Sequence, residues 1–510
     1  MTPSNPPPLP DLRQLVAESD WVAGRHGLAD AAATWQTRLP AVRRELAGEA
    51  AMLARPRLWI DTVSSLASTG WKVTSAAAPD APFALLAAAA TASGTPISPP
   101  RDSRGTVRRA ERLVRAGGPA YIKLGQFISS ARGLLPDEWV EAFGWCRDKA
   151  PTLPRSVVNK VLREHLGERH IELRDLDPEP LAAASIAQVH TAVLEDGTDV
   201  VVKLRRPGLR RQLRSDIETM ALVAAVAERL HPGARMANLV GFVELFSQLV
   251  LEELDFRLEA LNLVELGAAF ENAGIDYCTL PRPIPGMVTE GVLVMERVAG
   301  FPYDKAGEAL GARLDGDRLI KLAIQGVLET TLIYGLFHGD LHAGNVLIAG
   351  GDAFALVDFG ICGRIDSHQR AALVSFMLAF AQMDARAQLA ALTEFGALPA
   401  GADLDTLAAK LQVELDRINP ETGQGLTYDQ VGETLSTVMR MLSKSRFRLP
   451  TELVLFFKNV LYLTSFTASI APDADLLGQI GPILGHFMAK YGDQLPMFFG
   501  NPEQPATVPA

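Results

Sequence analysis

His338-Gly339-Asp340-Leu341-His342-Ala343-Gly344-Asn345, followed by Asp358-Phe359-Gly360, is the stretch on which the reading of this chain turns. An Asp, an Asn five positions later and a second Asp thirteen beyond that are the groups phosphoryl transfer needs. One carboxylate receives or orients the attacking group's proton, and two oxygen donors hold Mg²⁺. Between them, Val346-Leu347-Ile348 and Phe354-Ala355-Leu356-Val357 flank Ala349-Gly350-Gly351-Asp352. Two short apolar runs around a Gly-Gly-Asp turn predict a β-hairpin, which brings Asn345 and Asp358 together. Taken singly, each acidic residue would read as a solvated loop or capping residue. Joined by a hairpin, they make Asp340 the candidate catalytic residue and Asn345 and Asp358 the candidate Mg²⁺ ligands.

At 510 residues, with 48% hydrophobic and 21% charged residues, the chain has the composition of an ordinary globular protein of two to four structural units. Cys146, Cys278 and Cys362 are odd in number and far apart, which argues against a disulfide framework or a cysteine zinc site and fits a reducing cytosol. A net charge of −10 argues against general nucleic-acid binding. Two local basic stretches stand out: Arg101, Arg104, Arg108, Arg109, Arg112 and Arg115, and then Lys203, Arg205, Arg206, Arg210, Arg211 and Arg214. Each reads as a basic helical stretch, more readily a solvated face than a surface for anionic lipid or phosphate. The N-terminus, Met1-Thr2-Pro3-Ser4-Asn5-Pro6-Pro7-Pro8, has no secretory pattern. Ala81 to Ala92 is too short to span a membrane and Leu453 to Ala471 carries Lys458 in its middle, so no transmembrane segment is expected.

The chain divides on pattern into a Pro-rich start and variable helical region (1–100), a helical extension (101–170), a β-rich lobe (171–300), a helical lobe with the catalytic loop (301–490) and a tail (491–510). Ser93 to Pro100 reads as a linker. A β-rich part followed by a helical part predicts an α+β, two-lobed architecture with nucleotide in the crevice between.

Leu181-Ala182-Ala183-Ala184-Ser185-Ile186-Ala187-Gln188-Val189 stands where a Gly-rich phosphate loop would be, with Ala182, Ala184 and Ala187 at the three glycine positions. Val189 then fits as the residue covering adenine, and Lys203, fourteen later after Val200-Val201-Val202, is placed for the α- and β-phosphates. An alanine loop is stiffer than a glycine one, because each Cβ removes most positive-φ conformations. An alanine-rich string alone would equally suit the start of a buried helix. A lysine buried beside phosphate also needs a carboxylate partner. Helical spacing in the run from Glu252 to Asn262 puts Asp255 and Glu259 on one face with Glu252 a turn back.

Together these residues resemble the UbiB (AarF/ADCK) family of atypical, protein-kinase-like proteins, over about residues 105 to 475. Lys123-Leu124-Gly125-Gln126 is similar to that family's KxGQ motif, Ala182 to Ser185 to its Ala-rich loop, Glu253-Leu254-Asp255 to ExD, and His338 to Asn345 to its HGDxHxxN loop. The resemblance implies a two-lobed protein-kinase-like fold with a β-rich N-lobe, a helical C-lobe and an added helical extension. It also assigns Glu259 to Lys203, Glu296 and Val298 to backbone contacts with adenine, and regulatory or catalytic roles to Lys123, Gln126, Glu253 and Asp255. In the family the KxGQ helix folds over the place where a protein kinase receives a peptide. The family's Arg-Pro-Asp before Leu-Leu-Pro is Ala131-Arg132-Gly133 before Leu134-Leu135-Pro136 here, a departure.

The implied function is ATP- or ADP-binding and Mg²⁺-dependent ATPase or kinase activity supporting isoprenoid quinone biosynthesis or lipid homeostasis. Quinone-precursor lipids or quinone-biosynthesis proteins are the expected partners. The expected location is the cytoplasm, peripheral at the inner face of a membrane. Independently, Asp366-Ser367 reads as a helix N-cap directly after Ile361-Cys362-Gly363-Arg364-Ile365, which leaves no room for an activation segment. His342 stands where eukaryotic protein kinases place a phosphate-contacting Lys. Both features argue against a peptide acceptor. Two other readings stay open: a small-molecule phosphotransferase of the aminoglycoside or choline kinase type, and a nucleotide-sensing scaffold that transfers nothing.

Overall fold

The computed structural model describes residues 8–55, 86, 104–129, 137–147, 150–230, 239–350, 352–397, 403–418, 428–444, 450–471 and 476–492. The expected Pro-rich start through residue 7, the linker at Ser93 to Pro100, Arg101, the Ala131-Arg132-Gly133 departure and the tail beyond 492 lie outside them.

Among the described residues, helices α1 (Leu12–Glu18), α2 (Asp20–Ala23) and α3 (Leu28–Leu53) precede the extension formed by α4 (Arg104–Ala116), α5 (Pro119–Ser129), α6 (Asp137–Ala142) and α7 (Arg155–Leu166). The β-rich lobe follows with β1 (Leu173–Arg174), β2 (Ala182–Ala183), β3 (Ala187–Leu194), β4 (Asp199–Arg205), α8 (Leu209–Leu230), α9 (Leu239–Glu252) and α10 (Phe256–Asn272). It continues through β5 (Cys278–Thr279), β6 (Pro283–Val288) and β7 (Val292–Glu296). Its sheet runs β1-β3-β4-β7-β6, with β2 paired to β3. Val200, Val202 and Leu204 alternate onto one face of β4 and pack with Ala192, Val292 and Val294 under α7, while Val201 and Lys203 are buried on the other face.

The helical lobe comprises β8 (Phe301–Pro302), α11 (Tyr303–Leu310), α12 (Gly316–Tyr334), β9 (Leu336–His338), β10 (Val346–Ile348), β11 (Phe354–Leu356) and β12 (Cys362–Arg364). Then come α13 (Ser367–Ala381), α14 (Ala385–Glu394), α15 (Leu404–Ile418), α16 (Tyr428–Lys444), α17 (Thr451–Ile470) and α18 (Leu476–Tyr491). The predicted hairpin is β10 against β11, in register Val346↔Leu356 and Ile348↔Phe354. A capping box of Asp366 and Gln369 starts α13 two residues after β12.

Three sequence expectations need correction. Glu252, Asp255 and Glu259 do not share one helix: α9 ends at Glu252, and Asp255 is the N-cap of α10, accepting from the Arg257 N–H and pairing with its guanidinium at 2.5 Å. The second basic stretch is not one helix either. Lys203 and Arg205 lie on β4, and the helix begins at Leu209, where Arg210 and Arg214 pair with Glu49. Beyond residue 300 the chain also makes the short strands β8, β9 and β12, while β5, from within the span read as N-lobe, pairs in parallel with β11.

One described helix, α17, is long and apolar enough by length and composition to cross a membrane. Its Leu453, Leu455, Phe456 and Phe457 belong to the C-lobe core, and Lys458 is turned inward. Those contacts make it a core helix.

Candidate active site

Lys203 is the centre of the crevice. β4 carries it beside Val189 of β3, and these cross-strand partners share one face of the sheet. Its ammonium lies 2.9 Å from both carboxylate oxygens of Glu259 and 2.8 Å from Asp358 Oδ1. Burial works against the charge, but Asp358 and Glu259 outweigh it and hold Lys203 protonated, above the ordinary lysine range. Desolvation likewise opposes the Asp358 carboxylate, and Lys203 draws it down to about 2. Burial pushes the Glu259 carboxyl upward against the pull of Lys203.

Helix α10 does more than supply Glu259. One turn on, Asn262 donates from Nδ2 to the Phe359 carbonyl at 2.8 Å, and its Oδ1 accepts from Arg364 and from Arg43 of α3. The N-terminal helices therefore buttress this helix: Gln36 reaches Glu265, and Ser19 Oγ donates to Glu271 at 2.6 Å. Sequence reasoning assigned residues 1 to 100 no role, and nothing in their Ala/Leu-rich pattern points to Asn262.

The alanine loop is a β-hairpin rather than a helix start. Ala182 and Ala183 pair with Val189 and Gln188, and the Ala184 N–H donates to the Ala187 carbonyl at 2.8 Å. None of these alanines takes a positive φ, so the turn is one that L-residues accept without strain. Leu181 is exposed, and Ser185 is half-buried. At the hinge, the Glu296 N–H donates to the Arg282 carbonyl and the Arg297 N–H to Asp199, so Val298 is the first residue beyond the ladder.

On the facing lobe the catalytic loop is fixed through its histidines. His338 Nδ1 accepts the Asp340 N–H at 3.1 Å, which leaves Nε2–H to donate to the Val357 carbonyl at 3.2 Å. Burial lowers the His338 pKa, consistent with that neutral tautomer. Gly339 has no room for a side chain, since a Cβ would come 2.8 Å from Ile361 Cγ2. Asn345 donates from Nδ2 to the Asp340 carbonyl at 3.0 Å, leaving its amide oxygen as the free donor atom. Asp358 adopts φ +62°, a left-handed conformation that an Asp tolerates.

Asp340 has partners the sequence did not reveal. Lys458 Nζ lies 3.1 Å and Tyr462 Oη 3.0 Å from its Oδ1, both from α17, while His342 Nε2 is 3.8 Å from Oδ2. Burial opposes ionisation, but Lys458, His342 and Lys123 outweigh it and hold the Asp340 carboxyl well below the usual range.

Helix α5 closes the front. Lys123 Nζ pairs with Glu253 Oε2 at 2.7 Å, whereas Glu253 Oε1 is buried and makes no hydrogen bond among the described residues. Burial raises the Glu253 pKa against the pull of Lys123. Gly125 lets the helix lie close to the turn at Gly144–Arg147, because a Cβ there would sit 2.4 Å from Cys146 Sγ. Two assignments fall elsewhere than expected: Gln126 Nε2 donates to the Cys146 carbonyl at 2.9 Å, and Asp255 turns to Arg257. Lys123 and Glu253 thus meet at the crevice, while Gln126 also holds the turn at Cys146 and Asp255 caps its own helix.

No cluster of three or more His, Cys, Asp or Glu side chains suited to a metal occurs among the described residues. Asp358 and the Asn345 amide oxygen are hard oxygen donors in number and type suited to Mg²⁺, which takes one or two protein ligands and completes its shell with water and phosphate.

Residues 146–392 match the model of the ABC1 atypical kinase-like domain. A chloroplastic aarF domain-containing protein kinase of Arabidopsis thaliana is 33% identical over 390 residues, covering 72% of each chain. The chain belongs to the UbiB/aarF family of atypical kinase-like proteins. An uncharacterized protein of Mycobacterium tuberculosis is 33% identical over 381 residues (73% of this chain, 77% of the relative). A probable protein kinase UbiB of Pseudomonas aeruginosa is 29% identical over 378 residues (73% of this chain, 70% of the relative). The match to the ABC1 atypical kinase-like domain agrees with the α+β kinase-like fold expected from the sequence.

Proposed function

We propose that this UbiB-family protein binds ATP or ADP with Mg²⁺ and acts as an ATPase or phosphotransferase on a non-peptidic acceptor. The observation that carries this reading is the convergence of Lys203, Glu259 and Asp358 within 2.9 Å in the crevice, opposite Asp340. Lys203 would hold the α- and β-phosphates, and Asn345 and Asp358 the metal, which supplies charge neutralisation on the phosphates. Asp340, held ionised by Lys458, would orient the attacking group. Leu181, Ala182, Ala183, Ala184, Ser185 and Val189 would cover the nucleotide, with Glu296 and Val298 at adenine.

Exclusion of a peptide rests on α5 and on the start of α13 two residues after β12. The Lys123–Glu253 pair ties α5 across the front of the site. For the biological role we propose support of isoprenoid quinone (ubiquinone-like) biosynthesis or lipid homeostasis, in line with relatives named UbiB, with peripheral membrane contact.

ATP turnover by wild type and by Asp340→Asn tests the chemistry: turnover should fall by about 10²-fold or more in the variant while nucleotide still binds. Equal turnover would remove Asp340 from the reaction, and fast phosphorylation of a hydroxylated small molecule would replace the proposed acceptor class. Deletion of the gene followed by quinone and lipid profiling tests the biological role, and liposome co-sedimentation tests the membrane contact.

A further inference from the structure

In the middle of α17, the one described helix long and apolar enough to cross a membrane, sits a lysine that is only 16% exposed. An ammonium in such a place is costly unless paired, and a leucine or methionine would suit the helix better on packing grounds alone. Lys458 instead crosses 118 positions of sequence to reach Asp340 Oδ1 at 3.1 Å. Four residues on, Tyr462 places its hydroxyl 3.0 Å from the same oxygen. Spacing of i and i+4 puts both on one face of α17, so a single rigid helix delivers two donors to one carboxylate oxygen.

The ammonium is held in turn. Its nitrogen lies 5.5 Å from the ring centroids of Phe127, on α5, and of Tyr462, within reach of cation–π attraction. Phe127 meets Phe246 of α9 edge-on at 5.8 Å. With Oδ1 held from α17, Asp340 faces His342 with Oδ2 alone. His342 itself is fixed by accepting the Gly344 N–H at 3.0 Å.

We infer that Lys458 is a positioning residue for phosphoryl transfer at Asp340: with Tyr462 it locks Oδ1, so that Oδ2 is the oxygen presented to the attacking group, and it supplies the cation that the catalytic loop itself lacks at His342. This inference rests on the phosphoryl-transfer reading of the site. The groups facing the carboxyl are Lys458 and Tyr462 from α17, Lys123 from α5, His342 and His338 from its own loop, and Asp358 and Glu253 from across the crevice. Lys458 is the nearest cation among them, and its loss should free the carboxylate to rotate.

The test compares Lys458→Ala, Lys458→Arg and Tyr462→Phe in the full chain, reading ATP turnover, ATP affinity by calorimetry, and rescue by added ethylammonium. Lys458→Ala should lower kcat by about 10- to 100-fold with the Kd for Mg-ATP within about threefold of wild type, because orientation rather than binding is lost. Ethylammonium should restore part of that loss in a concentration-dependent way, and Arg should restore more than Ala. Tyr462→Phe should lower kcat by about threefold to tenfold at unchanged affinity. Wild-type kcat in Lys458→Ala, or a loss that neither ethylammonium nor Arg relieves, would overturn the inference by making the lysine a packing element.

Should Lys458→Ala fail to fold, Lys458→Met and Tyr462→Phe decide: a lowered kcat at unchanged Kd for Mg-ATP supports the inference, and wild-type kcat in Tyr462→Phe overturns it. Absence of both Mg-ATP binding and turnover in the wild type would instead overturn the phosphoryl-transfer reading beneath it.

Discussion

Lys203 Nζ lies 2.9 Å from both carboxylate oxygens of Glu259, a contact between a strand and a helix 56 positions apart. Both groups are buried, and among the described residues Asp358 is the other carboxylate paired with the ammonium. Glu259→Gln therefore leaves Lys203 compensated by Asp358 alone. We expect a loss of about 2–4 kcal/mol in unfolding free energy, and adding Lys203→Met should cost less than the sum of the two single changes. Chemical denaturation of the four proteins of that cycle measures the coupling, and strict additivity would show that the pair is not energetically linked.

Lys123 and Glu253 form a second ion pair, half-buried, with one Glu253 oxygen making no hydrogen bond among the described residues. Lys123→Met should destabilise the fold by about 3 kcal/mol, because the carboxylate is left uncompensated. Glu253→Gln in the same chain should recover most of that loss. Thermal melts decide, and a Lys123→Met protein as stable as wild type would mean that α5 is held by its apolar face alone.

The alanine hairpin makes a different kind of prediction. Since no alanine there uses a positive φ, Ala184→Gly relieves no strain and only adds freedom, at a cost of about 0.5–1 kcal/mol. Faster amide exchange across Ala182 to Ala187 should follow, with a changed preference between ATP and ADP. Unaltered exchange and nucleotide preference would contradict the idea that the Cβ atoms restrain the loop.

Asp216 of α8 gives the fold a pH dependence. Its Oδ2 accepts the Ala120 N–H at 3.1 Å at the start of α5, and burial raises its pKa from 3.8 to about 7. A raised folded-state pKa contributes stability that is full below about pH 4 and is lost as pH climbs through about 7. Asp216→Asn keeps an acceptor for Ala120 without the ionisation. The variant should gain on wild type between pH 4 and pH 8, by about 2–4 kcal/mol at the upper end. Parallel melting curves across that range would show that Asp216 does not titrate with folding.

Much of the site was legible because its residues are tied by short spacings or by family motifs. The Asp340–Asn345 interval and the hairpin turn are local, and Lys203 directly follows an unmistakable Val-Val-Val run. Lys458 and Tyr462 were not legible as site residues: they act on Asp340 from more than a hundred positions away, and in sequence the lysine reads only as an interruption of an apolar helix. A lone lysine one turn before a tyrosine in such a helix was the available signal. The break between Glu252 and Asp255 was hidden because helical spacing continues through it, although Asp before Phe256 is a helix-start signal. Strands of two or three residues, such as β5 and β12, are too short to show alternation, and only their partners define them.

The most direct test of the account is calorimetric binding of ATP to wild type and Asp358→Asn, each with Mg²⁺ and with the metal chelated. The account predicts that wild type binds Mg-ATP, and that Asp358→Asn loses at least about tenfold in affinity with Mg²⁺ while melting within a few degrees of wild type. Equal, metal-independent affinity in the two proteins would contradict it.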